Sequence, residues 1–536
     1  MHFVLLIGAF LLVGPLVALA ASGLNFTSLF NERSRLGSLL FTTLALTTLT
    51  ALFAVPLGTF SAILLERSAL RGRRIFTAFI VLGLFVPLPV TAIAWQIILG
   101  TWLPPLTLTP GEVAWRPWNQ GLLPAAFVHA TAALPWVIVI VMATLRQVDR
   151  GLEDEARVLG GSRHVFRFVL LPKVIVAMLA ATAWIAVQTS TEIPVTDAMM
   201  VRTYAEEVYT QIVGFSTGGV AAALSVTLPV LFVAIFLANA VLLRTVNRWP
   251  VSPEAWSPSR VSTGRNTLST LFVGGVVFMI AGLPLLALFW KAGGGGAGEG
   301  GSLSFALRQI GRVLNLNGMV LLQTAIAAVT AGIITASLAT TLCWWARGQQ
   351  IRRGIVTMLA VTLALTPGPL IGYALKEFIF VLLNAEDAVM KLLGITLDFP
   401  PLRSSLYDQP SPLPCIWACV LRYFAVAVVM IAPVIRALPR ELLELATQDG
   451  VSPWRYVGRP IVLPAAVLAA IAVTGLSLGE VSASKLVIPH GGRLFILDLF
   501  DVMHYGAEST VAAMAIVQLA LALPAGILLT MRTPRH

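Results

Sequence analysis

DEARVLGGSRHVFRFVLLP, from Asp154 to Pro172, returns about 290 residues later as ELATQDGVSPWRYVGRPIVLP, from Glu444 to Pro464. Each stretch runs from acidic and small residues through a glycine and a basic-aromatic segment to a Leu-Pro that enters an apolar block. Residues 151–160 read as a short helix broken at Gly160–Gly161, where glycine lets the backbone turn and lie close to a partner. A polar loop repeated between hydrophobic helices predicts a membrane protein that docks the same kind of partner surface twice.

The surrounding composition sets the class. Of 536 residues, 57% are hydrophobic and only 11% are charged, with a mean hydropathy of +0.87. Soluble domains carry about 25% charged residues, so a large soluble protein is excluded. The apolar residues fall in blocks of about 20, the length that crosses about 30 Å of hydrocarbon. Candidate spans are 3–21, 38–65, 75–99, 121–143, 169–190 and 216–243, then 268–290, 318–345, 355–381, 412–435, 461–480 and 507–531. Residues 3–21 resemble a signal peptide in length. Their start, Met1-His2, lacks the expected positive charge, so a retained first helix is expected.

The net charge of +11 is spread between apolar blocks instead of along one face, which argues for membrane topology over nucleic-acid binding. With a cytoplasmic N-terminus, the inside loops hold Arg67, Arg71, Arg73 and Arg74, Arg146, Arg157, Arg163 and Arg167, Arg352 and Arg353, and Arg436, Arg455 and Arg459. The outside loops are poorer in basic residues, so both quoted stretches and both termini are expected inside. Cys343, Cys415 and Cys419 lie in apolar blocks without nearby histidine and read as small hydrophobes, not as a zinc site. The glycine-rich stretch 291–303 has no Gly-Lys-Ser or Gly-Lys-Thr ending and reads as a flexible spacer.

The expected layout is therefore all-α and polytopic, with about 12 spans in two tandem sets of six. The first domain covers 1–243 with its loop at 146–172, a cytoplasmic linker covers 244–267, and the second domain covers 268–536 with its loop at 436–464. The halves match elsewhere too. Glu192 in TSTEIPVTDAM and Glu480 in LSLGEVSASKL close the fifth span of each half, 288 residues apart. Thr366, Pro367 and Pro369 interrupt a late span and mirror Pro87-Leu88-Pro89; broken helices often line a pathway.

The two loops resemble the Glu-Ala-Ala signature of ABC importer membrane subunits, and the whole layout resembles the fused, double-length permeases of the ferric-iron importer family, with thiamine permeases as relatives. By that resemblance the fold is two type I (MetI-like) permease halves, and each loop is a coupling helix seated in a cleft of a cytoplasmic ABC ATPase dimer. The positions carried over are Asp154, Glu155, Ala156, Gly160, Phe166 and Pro172, and in the second copy Glu444, Ala446, Gly450, Trp454 and Pro464. Asp154-Glu155 replaces Glu-Ala, Leu445 replaces an alanine, and the second copy lacks the usual phenylalanine. The resemblance implies a periplasmic binding protein that delivers cargo, a multi-pass place in the inner membrane, ATP and magnesium on the partner only, and no cofactor in this chain.

On the cargo side, Glu192 and Glu480 read either as a matched pair at an external gate or as residues that each cap local backbone or pair with Arg202 or Lys485. Arg422, Lys376 and Glu377 are further charged residues within or beside spans, and Lys376-Glu377 are long enough to reach the interface. His504, Tyr505 and Gly506 resemble an external stretch of iron-type permeases and are expected to help hold the binding protein. No nucleophile–base–acid set is visible among the scattered histidines, so an enzyme is not expected. A twelve-span secondary transporter is the alternative; it has no use for an amphipathic cytoplasmic loop in each half.

Overall fold

In a computed structural model, residues 2–21, 33–68, 70–103, 118–148, 150–213, 267–296, 300–395, 397–503 and 508–532 are described. The expected span at 216–243, the linker, and His504 and Tyr505 lie outside them. No strand is present among the described residues, and nine helices there are long and apolar enough to cross a membrane. This is an all-α polytopic membrane protein.

The first half contains α1 (His2–Ala21), α2 (Arg33–Arg67), α3 (Arg73–Gly83), α4 (Leu88–Ile97), α5 (Leu122–Arg146), α6 (Arg150–His164), α7 (Leu171–Thr191), α8 (Pro194–Ala198) and α9 (Tyr204–Val213). The second contains α10 (Thr267–Ala292), α11 (Leu303–Ala346), α12 (Gln350–Leu365), α13 (Gly368–Leu393), α14 (Leu413–Arg436), α15 (Arg440–Gln448), α16 (Arg459–Ser477), α17 (Ser484–Val487), α18 (Phe495–Met503) and α19 (Ser509–Arg532). The same three-helix packing occurs twice: α2 against α5 and α7, and α11 against α14 and α16. Small residues permit the close approach, as expected where lipid supplies no hydrophobic drive. A side chain at Gly58 would strike Val137 of α5, and one at Gly332 would strike Thr474 and the Ala470 carbonyl of α16.

Two expected spans are not single helices. The stretch 75–99 is the pair α3 and α4, bent by 106° across Leu84–Pro87. The stretch 355–381 is α12 and α13, interrupted at Thr366–Pro367. The cause is the same: each second helix starts behind a proline, Pro87 or Pro367, that serves as its N-cap and has no N–H to continue the previous turn. The glycine-rich spacer is also different from expectation where it is described. Gly295 N–H donates to the Trp290 carbonyl at 3.0 Å and Ser302 N–H to the Gly293 carbonyl at 2.8 Å, so the chain doubles back onto α10 and glycine serves closeness.

The opening helix of each half packs across the middle of the molecule. α1 lies on α13, where Gly14 approaches the Phe378 ring too closely for any side chain. Pro15 leaves the Leu11 carbonyl without its helical donor, and Trp417 Nε1 of α14 supplies one at 2.8 Å. In return α10 packs on α2, α3 and α4, with Phe60 edge-on to Phe272 at 5.0 Å. Val273, Val276 and Val277 of α10 thereby join the core of the first half.

Candidate functional site

The two repeated loops form short helices, each at the C-terminal end of a long helix of its own half. α6 turns at Gly160–Gly161, and the left-handed residue is Gly161, with φ +69°. Gly160, the residue in the motif position, has an extended φ of −163°. In the second loop the motif glycine itself, Gly450, is left-handed at +70°. There Val451 N–H reaches the Ala446 carbonyl at 2.9 Å and Gly450 N–H the Thr447 carbonyl at 3.2 Å, a Schellman ending for α15. The loops thus share an outline but not a register at the turn.

Ala156 and Ala446 are both buried, and around them each helix turns apolar side chains outward. Val158 is 88% exposed and Leu159 79%, beside Asp154 and Glu155; Leu442 and Leu445 are exposed beside Glu441 and Glu444, and Tyr456 is exposed in the turn that follows. Asp154 is held by Arg157 at 2.9 Å. Phe166 is half exposed in the π-helical turn Val165–Leu170. Pro172 sits in the first turn of α7, whereas Pro464 lies inside α16, where Pro460 takes the opening position.

What ties each loop to its bundle differs. Under α6, buried Glu153 pairs with Arg67 at 2.7 Å, and Arg67 also donates to the Leu145 carbonyl at 3.0 Å. Buried Glu66 takes Arg73 at 2.6 Å and Arg146 at 2.8 Å. Under α15 the ties are aromatic. Trp454 meets Trp344 edge-on at 4.9 Å, Arg347 lies 4.0 Å over the Trp344 ring, and Arg352 lies 4.9 Å over Trp345. Glu66–Arg73 and Trp345–Arg352 have the same spacing at the same place, so an ion pair in one half is a cation–π contact in the other. Trp454 therefore faces inward. Glu153 was missed in the sequence; its signal is that it lies three residues before Ala156, on the same buried face.

The second region lies between the halves. α7 ends at Thr191, and Glu192 Oε1 accepts from Arg422 Nη2 of α14 at 2.8 Å. The same guanidinium donates to Thr191 Oγ1 at 2.7 Å and to the Thr366 carbonyl at 3.3 Å, an acceptor freed by the break before α13. Ser482 Oγ completes Glu192 at 3.1 Å. Glu480 is buried and closes on its own turn, accepting from Ala483 N–H at 2.8 Å and Ser484 N–H at 2.9 Å. The two glutamates thus do different things: one ties the halves together, the other caps α17. Lys485 goes to Asp501 at 2.6 Å, and neither it nor Arg202 holds Glu192. Lys376 and Glu377 are half-buried on α13.

Outside the spans, burial raises the Glu206 carboxyl of α9 above the usual range, and Asp197 adds to this. Among the described residues no cluster of three or more His, Cys, Asp or Glu is placed to hold a metal ion, and all three cysteines are buried and free.

Residues 54–247 match the model of the binding-protein-dependent transport system inner membrane component. The chain is also 23% identical over 303 residues to the "Fe(3+)-transport system permease protein FbpB 2" of Haemophilus influenzae. That alignment covers 55% of this chain and 56% of the relative, so it spans about half the length of the curated protein. The family match runs from within α2 through the first loop and the α7–α9 region, so over that part the chain is similar to the binding-protein-dependent transport inner-membrane components.

Proposed function

We propose that this chain is the membrane-spanning permease of an ATP-driven importer, with cargo delivered from outside by a binding protein. ATP and magnesium act on a separate cytoplasmic ATPase dimer, and this chain performs no chemistry. The observation that carries the reading is the pair α6 and α15: two short helices, equivalent in chain order, each presenting exposed apolar side chains among acids. An apolar surface rimmed with charge suits a groove in a protein partner. Closure of two ATPase subunits would draw the two helices together and rock the bundles about the interface that contains Glu192 and Arg422.

Both loops and both termini face the cytoplasm in this reading, with domains at 1–243 and 268–536. The coupling residues are Asp154, Glu155, Ala156, Gly160, Phe166 and Pro172 with Glu444, Ala446, Gly450, Trp454 and Pro464; Glu192 and Glu480 flank the route, and His504 and Tyr505 face the binding protein. Ferric iron, the cargo in the relative's name, is the first candidate, and thiamine or another small solute is the second. The test is uptake into proteoliposomes containing the chain, the ATPase captured with it from native membranes, and the binding protein. Uptake that requires ATP and all three parts is expected. Uptake by the chain alone would overturn the reading in favour of a secondary transporter.

A further inference from the structure

Along the opening of α16 a shallow groove of about 480 Å³ is lined by Arg455, Arg459, Pro460, Leu463, Pro464 and Val467. Arg455, Arg459, Leu463 and Val467 recur at every fourth residue, so the π-helical turn Trp454–Gly458 and α16 set them in one stripe. Both guanidiniums are exposed, and among the described residues neither has a carboxylate partner. Exposed arginines elsewhere do find acids: Arg157 takes Asp154 at 2.9 Å and Arg493 takes Asp498 at 2.7 Å.

The two ends of the groove differ in character, and that difference selects the occupant. The arginine end lies at the start of the membrane-length stretch Trp454–Ser477. Long basic side chains at such an end keep their charge at the level of the lipid headgroups. Val467 is about 12 Å further along the helix axis than Arg459, at the rise of an α-helix. A protein seated on the membrane surface stops at the headgroups, and a free anion gains nothing from Leu463 or Val467. An anion carried on an apolar tail meets both ends.

We infer that this groove holds one anionic phospholipid, with its phosphate between Arg455 and Arg459 and an acyl chain along Leu463 and Val467. Two guanidiniums one turn apart suit the several oxygens of a phosphate. Arg455 belongs to the turn after α15 and Arg459 opens the span, so the bound headgroup braces the loop helix against its own bundle. The inference needs only a membrane setting and is independent of the importer reading.

The first half supplies an internal comparison. Arg163 and Arg167 stand at the equivalent places ahead of Leu171-Pro172, and both are exposed. There Phe168 replaces Pro460, with the Arg167 guanidinium 5.6 Å from its ring centre and the His164 ring 4.5 Å away on the same phenylalanine. The arginine pair is repeated, but its second member is engaged by its own neighbour. The groove in the second half, and not paired charge alone, defines the site.

The test is native mass spectrometry of the full chain, delipidated in detergent and titrated with phosphatidylglycerol or with phosphatidylcholine of the same chain length. The tightest-bound lipid is expected to be one phosphatidylglycerol, favoured about thirtyfold over phosphatidylcholine, as two basic residues at a headgroup allow. That preference should vanish in the double variant Arg455→Gln with Arg459→Gln and persist in Arg163→Gln with Arg167→Gln. Glycerol 3-phosphate, which has the phosphate without the tail, should leave the lipid in place. Equal binding of the two lipids, a preference that survives loss of Arg455 and Arg459, or one abolished only by loss of Arg163 and Arg167, overturns the assignment. Displacement by glycerol 3-phosphate overturns it as well, in favour of a site for free phosphate.

Discussion

Arg422 reaches Glu192 across 2.8 Å between the two halves, although the residues are 230 positions apart in the chain. The repeat does not duplicate this tie. The position that mirrors Arg422 in α5 is Ala132, and Glu480, which mirrors Glu192, binds its own backbone. The asymmetry follows from neighbours. Ala483 N–H, Ser484 N–H and the Ser484 hydroxyl give Glu480 local partners, whereas Thr196, at the place equivalent to Ser484, turns its hydroxyl to the Ile193 carbonyl.

Breaking this pair on one side leaves a charge buried without its partner. Glu192→Gln or Arg422→Met is expected to cost about 3–5 kcal/mol, while the joint replacement Glu192→Leu with Arg422→Met recovers most of the loss. Thermal unfolding of the four proteins in detergent measures this; single variants as stable as the parent would refute it.

The turn geometry separates two adjacent glycines. Gly161→Val and Gly450→Val each force a side chain into the left-handed region, at about 1–2 kcal/mol. Gly160→Ala carries no left-handed strain, and its Cβ would ask a shift only of His164, whose ring and Cβ (2.9 Å away) it meets. ATP hydrolysis by the assembled complex is therefore expected to fall with Gly161→Val and Gly450→Val and to survive Gly160→Ala.

The two loops are anchored by different forces, so they should loosen independently. Glu153→Ala removes the buried partner of Arg67 and is expected to raise hydrogen exchange across 150–164 while leaving 440–448 protected. Trp454→Ala removes the contact with Trp344 and should do the reverse. A large-to-small change of this kind costs about 3–5 kcal/mol when fully buried, and less for the half-buried Trp454.

Glu206 sets a pH dependence. Burial and Asp197 raise its carboxyl, so the folded state binds the proton more readily than the unfolded chain. Stability from this group is complete below the ordinary carboxylate range and is lost as pH rises through the raised value. Glu206→Gln mimics the protonated form, and its melting temperature should exceed that of the parent at neutral pH, with the gap closing in acid. A gap that widens in acid would contradict this.

The local features of the fold were legible because they depend on short spacing. The helix of the first loop, its break at Gly160–Gly161, and the interruptions at Pro87 and Pro367 all follow from glycine and proline chemistry within a few residues. Long-range choices were not legible. Nothing near Glu192 in the sequence points to Arg422, and nothing near Trp454 distinguishes an outward anchor from one turned onto Trp344. The size of the bend at Pro87, 106°, was not legible either, because hydropathy reports burial in lipid or protein alike.

The position of α1 has a consequence for biosynthesis. Its main neighbour, α13, begins at Gly368, so α1 is made long before its seat exists. At about 5–20 residues per second that delay is on the order of tens of seconds. Throughout it, the Leu11 oxygen faces the translocation machinery or the acyl chains with no indole to meet it. Truncating the transcript before α13 should therefore leave an orphaned N-terminal segment exposed to quality-control proteases.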